Sequence, residues 1–354
     1  ICSQLKWEVS MGKFISLFLK IGTLIIFVSF NSFAGGLEVS RQNNMMLFSE
    51  GSKVDFTSRQ TSSTVTDNVF SGGQTVVKQL NLLAAGFKSD YNDSISYAFE
   101  MYEPMASTLQ YPSAVAVKAL LRTRALSLTG KYKLANSPFG IFAGIRQVTI
   151  KRSTLNTGTA DMITTPKNEY GYMMGASYEK PEIALKILLS HSPAIDFTLP
   201  ITLAGTATAK QAEMTTLEFE TGIAKDTLLY GSIHQSSWGS AQVKLAGTQI
   251  STFSDSDTYN IGVGRKFSDK LSGSFSYTTE AGSSATGTSL LSPTNGKDTY
   301  GIGAKYVANF GDISFGYAQT SFGDKAVSSG GATGNFTNND ATTVGLKISF
   351  KPNS

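Results

Sequence analysis

Thr343-Val344-Gly345-Leu346-Lys347-Ile348-Ser349-Phe350 alternates between two kinds of side chain. A strand turns successive side chains to opposite faces, so Val344, Leu346, Ile348 and Phe350 share one face. Thr343, Gly345, Lys347 and Ser349 share the other. One face suits lipid and the other a wet interior. Repeated along the chain in segments of about ten residues, this is the signature of a β-barrel that crosses a membrane.

Working outward from that segment, the pattern recurs at 52–60, 76–89, 93–103, 120–133, 139–152, 169–180, 182–192, 213–224, 226–236, 257–267, 270–280, 299–309, 310–322 and 340–350. That predicts an all-β fold, an antiparallel barrel of about fourteen strands. The connections alternate in length. Tight ones are Asp90-Tyr91-Asn92, Asn136-Ser137-Pro138, Pro181, Lys225, Ser268-Asp269 and Phe310-Gly311. Long ones are 61–75, 104–119, 153–168, 193–212, 237–256, 281–298 and 323–339. Short turns on one side and long loops on the other are how outer-membrane barrels are built, and an even count returns both ends to the turn side.

A soluble β-sandwich or β-helix also uses many short strands. Against both, the apolar face is the uniform one and its opposite is small and polar, as in Ser272, Ser274 and Ser276. Aromatics such as Tyr170, Tyr178, Tyr259, Phe267, Tyr300, Tyr306 and Phe315 stand near segment ends at outward parity, where lipid-interface girdles belong.

The mean hydropathy of −0.05 argues against a helical membrane protein. Residues 1–10 precede Met11 and read as a non-native upstream extension; they hold the single cysteine, Cys2. From Met11, a basic lead, an apolar stretch from Ile21 to Phe30 and small residues at Ser32 and Ala34 predict a signal peptide over 11–34. Lys20 leaves the stretch short of the roughly 18 apolar residues of a spanning helix. A chain cleaved there has no cysteine, hence no disulfide or cysteine metal site. The formal charge of +4 is too small a bias to suggest nucleic acid.

Two segments depart from simple alternation. In 139–152, Ile141, Ala143 and Ile145 share a parity and Val148 and Ile150 take the other, which predicts a β-bulge near Arg146-Gln147. Segment 182–192 is apolar on nearly both faces, which predicts an apolar stretch of lumen wall.

Several stretches together resemble the FadL/TodX-type outer-membrane transporters of long-chain fatty acids and aromatic hydrocarbons. They include Asn44-Met45-Met46-Leu47-Phe48-Ser49-Glu50-Gly51 and Tyr97-Ala98-Phe99-Glu100-Met101-Tyr102-Glu103-Pro104. Others are Phe142-Ala143-Gly144-Ile145-Arg146-Gln147, Glu218-Phe219-Glu220-Thr221-Gly222 and Tyr230-Gly231-Ser232-Ile233-His234. The resemblance implies a fourteen-stranded barrel over 52–350, a short tail at 351–354 and an N-terminal hatch in the lumen over 35–51. It also implies release of ligand through an opening in the barrel wall. The family's hatch often carries Asn-Pro-Ala; here Asn44-Met45-Met46 stands in that place, with Leu47 and Phe48 following.

Arg146 is the most informative charge, at inward parity with Phe142. Its fork suits a ligand carboxylate, and the alternative is an ion pair with Glu100, Glu218 or Glu220. Lys186 is a weaker version of the same argument, and Leu188, Val148 and Ile150 are candidate ligand contacts beside it. Met105, Leu109 and Tyr111 in one loop, with Phe197 and Leu199 in another, form a candidate capture surface; loop-on-loop packing is the alternative. His234 near Ser236 and Ser237 makes no recognisable nucleophile motif, and a histidine near the extracellular rim is the simpler reading. Asp255 and Asp257 lack calcium-loop spacing.

The sequence thus predicts a non-enzymatic outer-membrane channel of a Gram-negative bacterium, without cofactor or metal, for passive uptake of hydrophobic small molecules. A general diffusion porin and a structural or adhesive barrel are the alternatives. Expected partners are the hydrophobic ligand, outer-membrane lipid and lipopolysaccharide, and the outer-membrane assembly machinery, with the barrel as a monomer.

Overall fold

The computed structural model describes residues 36–203, 205–283 and 287–352. The upstream extension and the signal peptide lie outside the described residues. Fourteen strands close into one antiparallel barrel. They are β1 (Lys53–Thr64), β2 (Leu80–Asp90), β3 (Ile95–Tyr102), β4 (Val117–Lys133), β5 (Phe139–Ile150), β6 (Lys167–Lys180) and β7 (Leu185–Ser192). The second half is β8 (Met214–Ala224), β9 (Thr227–Ser236), β10 (Ser256–Lys266), β11 (Leu271–Glu280), β12 (Asn295–Ala308), β13 (Gly311–Gly323) and β14 (Asp340–Phe350). Each pairs with the next, and β14 closes on β1 from Val54↔Phe350 to Thr64↔Asp340. Closure gives every strand a partner on both sides, so no strand is an edge along its whole length. All fourteen expected segments become strands. The largest boundary differences are that β1 runs on to Thr64, β2 starts at Leu80 and β12 at Asn295, and β7 begins only after a turn at Pro181–Ile183.

Outward positions are apolar and exposed. Near the turn end Phe139 meets Tyr178 at 5.1 Å between ring centres, and Phe310 meets Phe350 at 5.6 Å. Near the loop end Tyr277 meets Tyr300 at 5.1 Å. These are the positions that the two interface girdles of a membrane barrel occupy. Phe350 also stands edge-on to Phe56.

The expected bulge at Arg146-Gln147 does not exist. Registers from Thr123↔Ile150 to Lys133↔Gly140, and from Phe139↔Tyr178 to Ile150↔Lys167, run without a shift. Val148 and Ile150 simply point inward with Phe142 and Arg146. They do so because the loop end of the lumen is filled with apolar side chains. A hairpin, Ile195–Ile201 paired with Gly205–Gln211, brings Ile195, Phe197, Leu199 and Ile201 onto Val148, Ile150, Met105, Met162 and Trp238. Gly171 makes room for it, since a Cβ there would lie 2.5 Å from Ile195 Cδ1. Real register shifts fall elsewhere, at Gly222/Ala224 and Asn295/Lys297.

The expected apolar lumen wall at 182–192 is also corrected. Leu185, Ile187 and Leu189 point outward, and the inward set is Lys186, Leu188, Ser190 and Ser192. Pro181–Ile183 forms a turn rather than strand, so the apolar count on the inner face falls to Leu188.

Candidate functional site

Residues 36–51 enter the barrel before β1 begins. Near the loop end this segment replaces a strand partner: Val39 N donates to Pro104 O at 2.9 Å and Ala106 N to Leu37 O at 3.1 Å. Further on, Asn44–Phe48 form one 3-10 turn, every residue buried. Its apolar side chains Met45, Leu47 and Phe48 cluster with Ala98, Phe142, Met173 and Leu188 of the wall. Phe48 stands edge-on to Phe142 at 5.6 Å, with Lys131 Nζ 4.4 Å over its ring. A Cβ at Gly86 would lie 2.7 Å from Met46 Sδ, so glycine there lets the turn approach the wall.

Polar side chains fix the same segment. Asn44 Nδ2 donates to Ser190 Oγ at 3.1 Å, and Asn43 N to Glu100 Oε2 at 3.0 Å. Lys88 Nζ donates to Ser49 O, Gly51 O and Asp90 Oδ1. Glu38 accepts from Arg41 Nε at 2.6 Å and from His234 Nε2 at 3.1 Å. Burial pushes the Glu38 carboxyl up, but the charges of Arg41 and His234 and their hydrogen bonds outweigh this and hold it well below the usual carboxylate range.

Between this segment and the wall lies a cavity of about 260 Å³. Met45, Met46, Leu82, Met173, Met214 and Phe219 give it apolar surface; Arg59, Glu100, Tyr102, Arg146, Glu218 and Lys347 give it polar surface. Arg146 is 5% exposed, and its Nε and Nη2 have no hydrogen-bond partner among the described residues. The acids expected as alternatives are engaged elsewhere: Glu220 with Lys186 Nζ at 2.7 Å, Glu100 with Asn43, and Glu218 with Asn44 at 3.5 Å. The Tyr102 hydroxyl lies beside this guanidinium but no carboxylate is paired with it, and buried polar groups are ordinarily satisfied, so Arg146 faces the cavity with unused binding capacity.

The wall beside this cavity is incomplete. The β2–β3 ladder runs from Asp90↔Ser96 to Ala85↔Met101 and stops. Residues 80–84 pair with β1 alone. Pro104 explains the stop: it has no N–H to donate and restricts the residue before it. Beyond it the chain turns inward to pair with 37–39 instead. Arg122 Nη2 spans to Asn81 O at 2.8 Å. Consecutive residues Leu82 to Gly86 all line the cavity, including Leu83, which is 64% exposed on the outer face. Leu83 thus points outward yet borders the cavity, at a place where β2 is paired on one side only.

The candidate residues therefore separate. Arg146 and the turn residues Asn44, Met45 and Met46 border the cavity. Phe142 and Leu188, with Leu47 and Phe48, anchor the N-terminal segment. Lys186 is an ion-pair partner of Glu220. Val148, Ile150, Met105, Phe197 and Leu199 pack in the loop-end cluster, and Leu109 and Tyr111 in a second cluster with Val76, Val117 and Phe336. The expected exposed capture surface is thus loop-on-loop packing in this structure: these side chains satisfy one another, and Tyr111 donates to Leu290 O at 2.9 Å. His234, expected near the rim, is buried between Glu38 and Thr216 Oγ1. Ser236 faces Ser256 instead. Asp255 accepts from Gly239 N and Asp257 from Gln235. The reading of the sequence missed Arg59, Tyr102 and Lys347 as cavity residues; their inward parity was the available signal.

No family model and no curated protein sequence matches this chain. Solved structures do. A FadL homologue from Pseudomonas aeruginosa superposes with a TM-score of 0.71 over 90% of this chain and 96% of that one, at 12% identity. The toluene transporter TbuX of Ralstonia pickettii gives 0.61 over 93% and 99%, at 11% identity. The toluene transporter TodX of Pseudomonas putida gives 0.56 over 90% and 95%, at 9% identity. At these identities the likeness is one of fold, and the chain has the fold of the FadL/TodX-type barrels.

Proposed function

We propose that this barrel is a passive outer-membrane channel of a Gram-negative bacterium for hydrophobic small molecules. A ligand passes the loops, rests in the lumen cavity and leaves through the wall beside β2. The observation that carries this reading is the cavity bordered by Leu82 and Leu83 where the β2–β3 ladder stops. A water-filled pore has no use for such an exit, whereas a greasy molecule gains by moving sideways into lipid rather than through water. The names of the structural neighbours, a FadL homologue and toluene transporters, agree with it.

Residues 36–51 act as the hatch, and Arg146 is the group that holds a carboxylate where the ligand has one. A dry cavity of about 150 Å³ holds benzene, so 260 Å³ suits a compact ring system or a short chain, with a longer chain extending through the wall. No catalytic step is part of this reading.

Uptake by cells with and without the protein tests it. A hydrocarbon or a fatty acid should enter faster in cells that carry the barrel, while small sugars gain little. Sugar uptake that rises as much as hydrophobe uptake would replace this reading with a general porin.

A further inference from the structure

The outer face of the barrel near its loops is not uniform in charge. On β4, β5 and β6 strand register sets outward side chains in rows. Leu126, Gln147 and Tyr170 form one row, and Arg124, Thr149 and Asn168 form the next towards the loops. Beyond it Arg122 lies beside Lys151, whose N–H donates to Arg122 O at 2.9 Å. Rows two residues apart are separated by roughly 7 Å along a strand.

Tyr170 sets the level of the membrane interface. It is 72% exposed, and its hydroxyl accepts from Gln147 Nε2 at 2.8 Å. A girdle aromatic sits at the headgroups with its ring towards the acyl chains. Arg124 and Lys151 therefore stand one and two rows outside the girdle, on the lipid-facing side.

These cations are uncommitted. Arg124, Lys151 and the adjacent Arg152 are exposed, and their side chains have no hydrogen-bond or ion-pair partner among the described residues. Glu103 beside them is already held by Arg122 in a two-pronged pair at 2.7 and 2.8 Å. At a comparable level on the opposite wall the outward charges are acidic, Asp257 bonded to Gln235 and Asp298 to Tyr277. The basic charge is thus segregated to one side of the barrel.

We propose that this patch binds the phosphates of lipid A, the phosphorylated glycolipid anchor of lipopolysaccharide in the outer leaflet. A guanidinium takes a phosphate with two parallel hydrogen bonds, and an ammonium beside it adds a point charge. Thr149 and Asn168, bonded to each other at 2.7 Å, form the polar floor. The exposed Leu128 and Ile145 below continue as the surface for the acyl chains. The inference rests on the outer-membrane placement of the reading above, but not on what the lumen carries.

Native mass spectrometry of the detergent-purified barrel tests it, with diphosphoryl lipid A and the same lipid stripped of phosphate as probes. The expected result is a lipid adduct with the diphosphoryl form that weakens at least tenfold in Arg124→Ala/Lys151→Ala and with the stripped lipid. Asp257→Asn/Asp298→Asn on the opposite wall should bind like the parent. Equal binding by the Arg124→Ala/Lys151→Ala variant, or by the stripped lipid, overturns the proposal. The same variant should keep its heat-modifiable band and its uptake of hydrophobic ligand. A parent protein that takes up hydrophobic ligand but shows no adduct with diphosphoryl lipid A removes this inference alone, and a parent protein that forms the adduct but gives no uptake removes the channel reading alone.

Discussion

His234 of β9 reaches across the lumen to Glu38, 196 residues earlier in the chain, and donates from Nε2 to its carboxylate at 3.1 Å. Arg41 closes on the same carboxylate from the other side at 2.6 Å. Through this contact the N-terminal segment is tied to the far wall as well as to the residues after Pro104 that it pairs with.

Glu38→Gln is expected to loosen that attachment. Losing the charge-assisted bonds costs about 2 kcal/mol, roughly thirtyfold in local opening. Hydrogen exchange of residues 36–49 should quicken accordingly at neutral pH while exchange in the barrel strands stays slow. Because Glu38 is held below the usual carboxylate range, its stabilising contribution is complete above that range and is lost as pH falls towards the folded value. Once the slower intrinsic exchange of amides in acid is divided out, acidification should therefore lower the protection of these residues in the parent protein towards that of Glu38→Gln. Unchanged exchange in the variant would show that the other contacts suffice.

Arg146→Ala should weaken binding of a carboxylate ligand about ten- to hundredfold and leave a neutral hydrocarbon nearly unaffected, since a hydrogen bond to a charged group contributes about 1.5–3 kcal/mol. Arg146→Lys should restore part of it, keeping the charge but losing the fork. If both ligand classes weaken equally and the folded band shifts, Arg146 is a structural group.

Leu83→Trp tests the wall. The residue is on the outer face and borders the cavity, so a larger ring there should obstruct the gap without entering the core. Hydrophobe uptake is expected to fall several-fold, with binding in the lumen retained. Uptake at the parent rate would place the exit elsewhere.

Single cysteines report topology. Thr159→Cys, in an exposed loop, should label on intact cells with a membrane-impermeant maleimide, whereas Asn136→Cys and Asp269→Cys at the tight turns should not. Equal labelling of both sets would contradict the orientation.

What the sequence determined by itself is the barrel. A two-residue period is a local property, so Val344 to Phe350 and its counterparts could be assigned to faces without knowing their neighbours. Turn and loop lengths then fixed the count, and inward parity rightly turned Arg146 towards the lumen. Parity names a face but not what lies opposite. The parity change in β5 looked like a bulge because the apolar hairpin at Ile195–Ile201 that Val148 and Ile150 meet comes from a distant loop. The apolar loops looked exposed because their partners are other loops. Only the tertiary structure decided that Glu100, Glu218 and Glu220 are taken by other groups, leaving Arg146 without a carboxylate partner, and that the ladder ends where Pro104 sends the chain inward. The reason is physical: backbone alternation is set within a strand, whereas the filling of a closed barrel depends on which side chains meet across it.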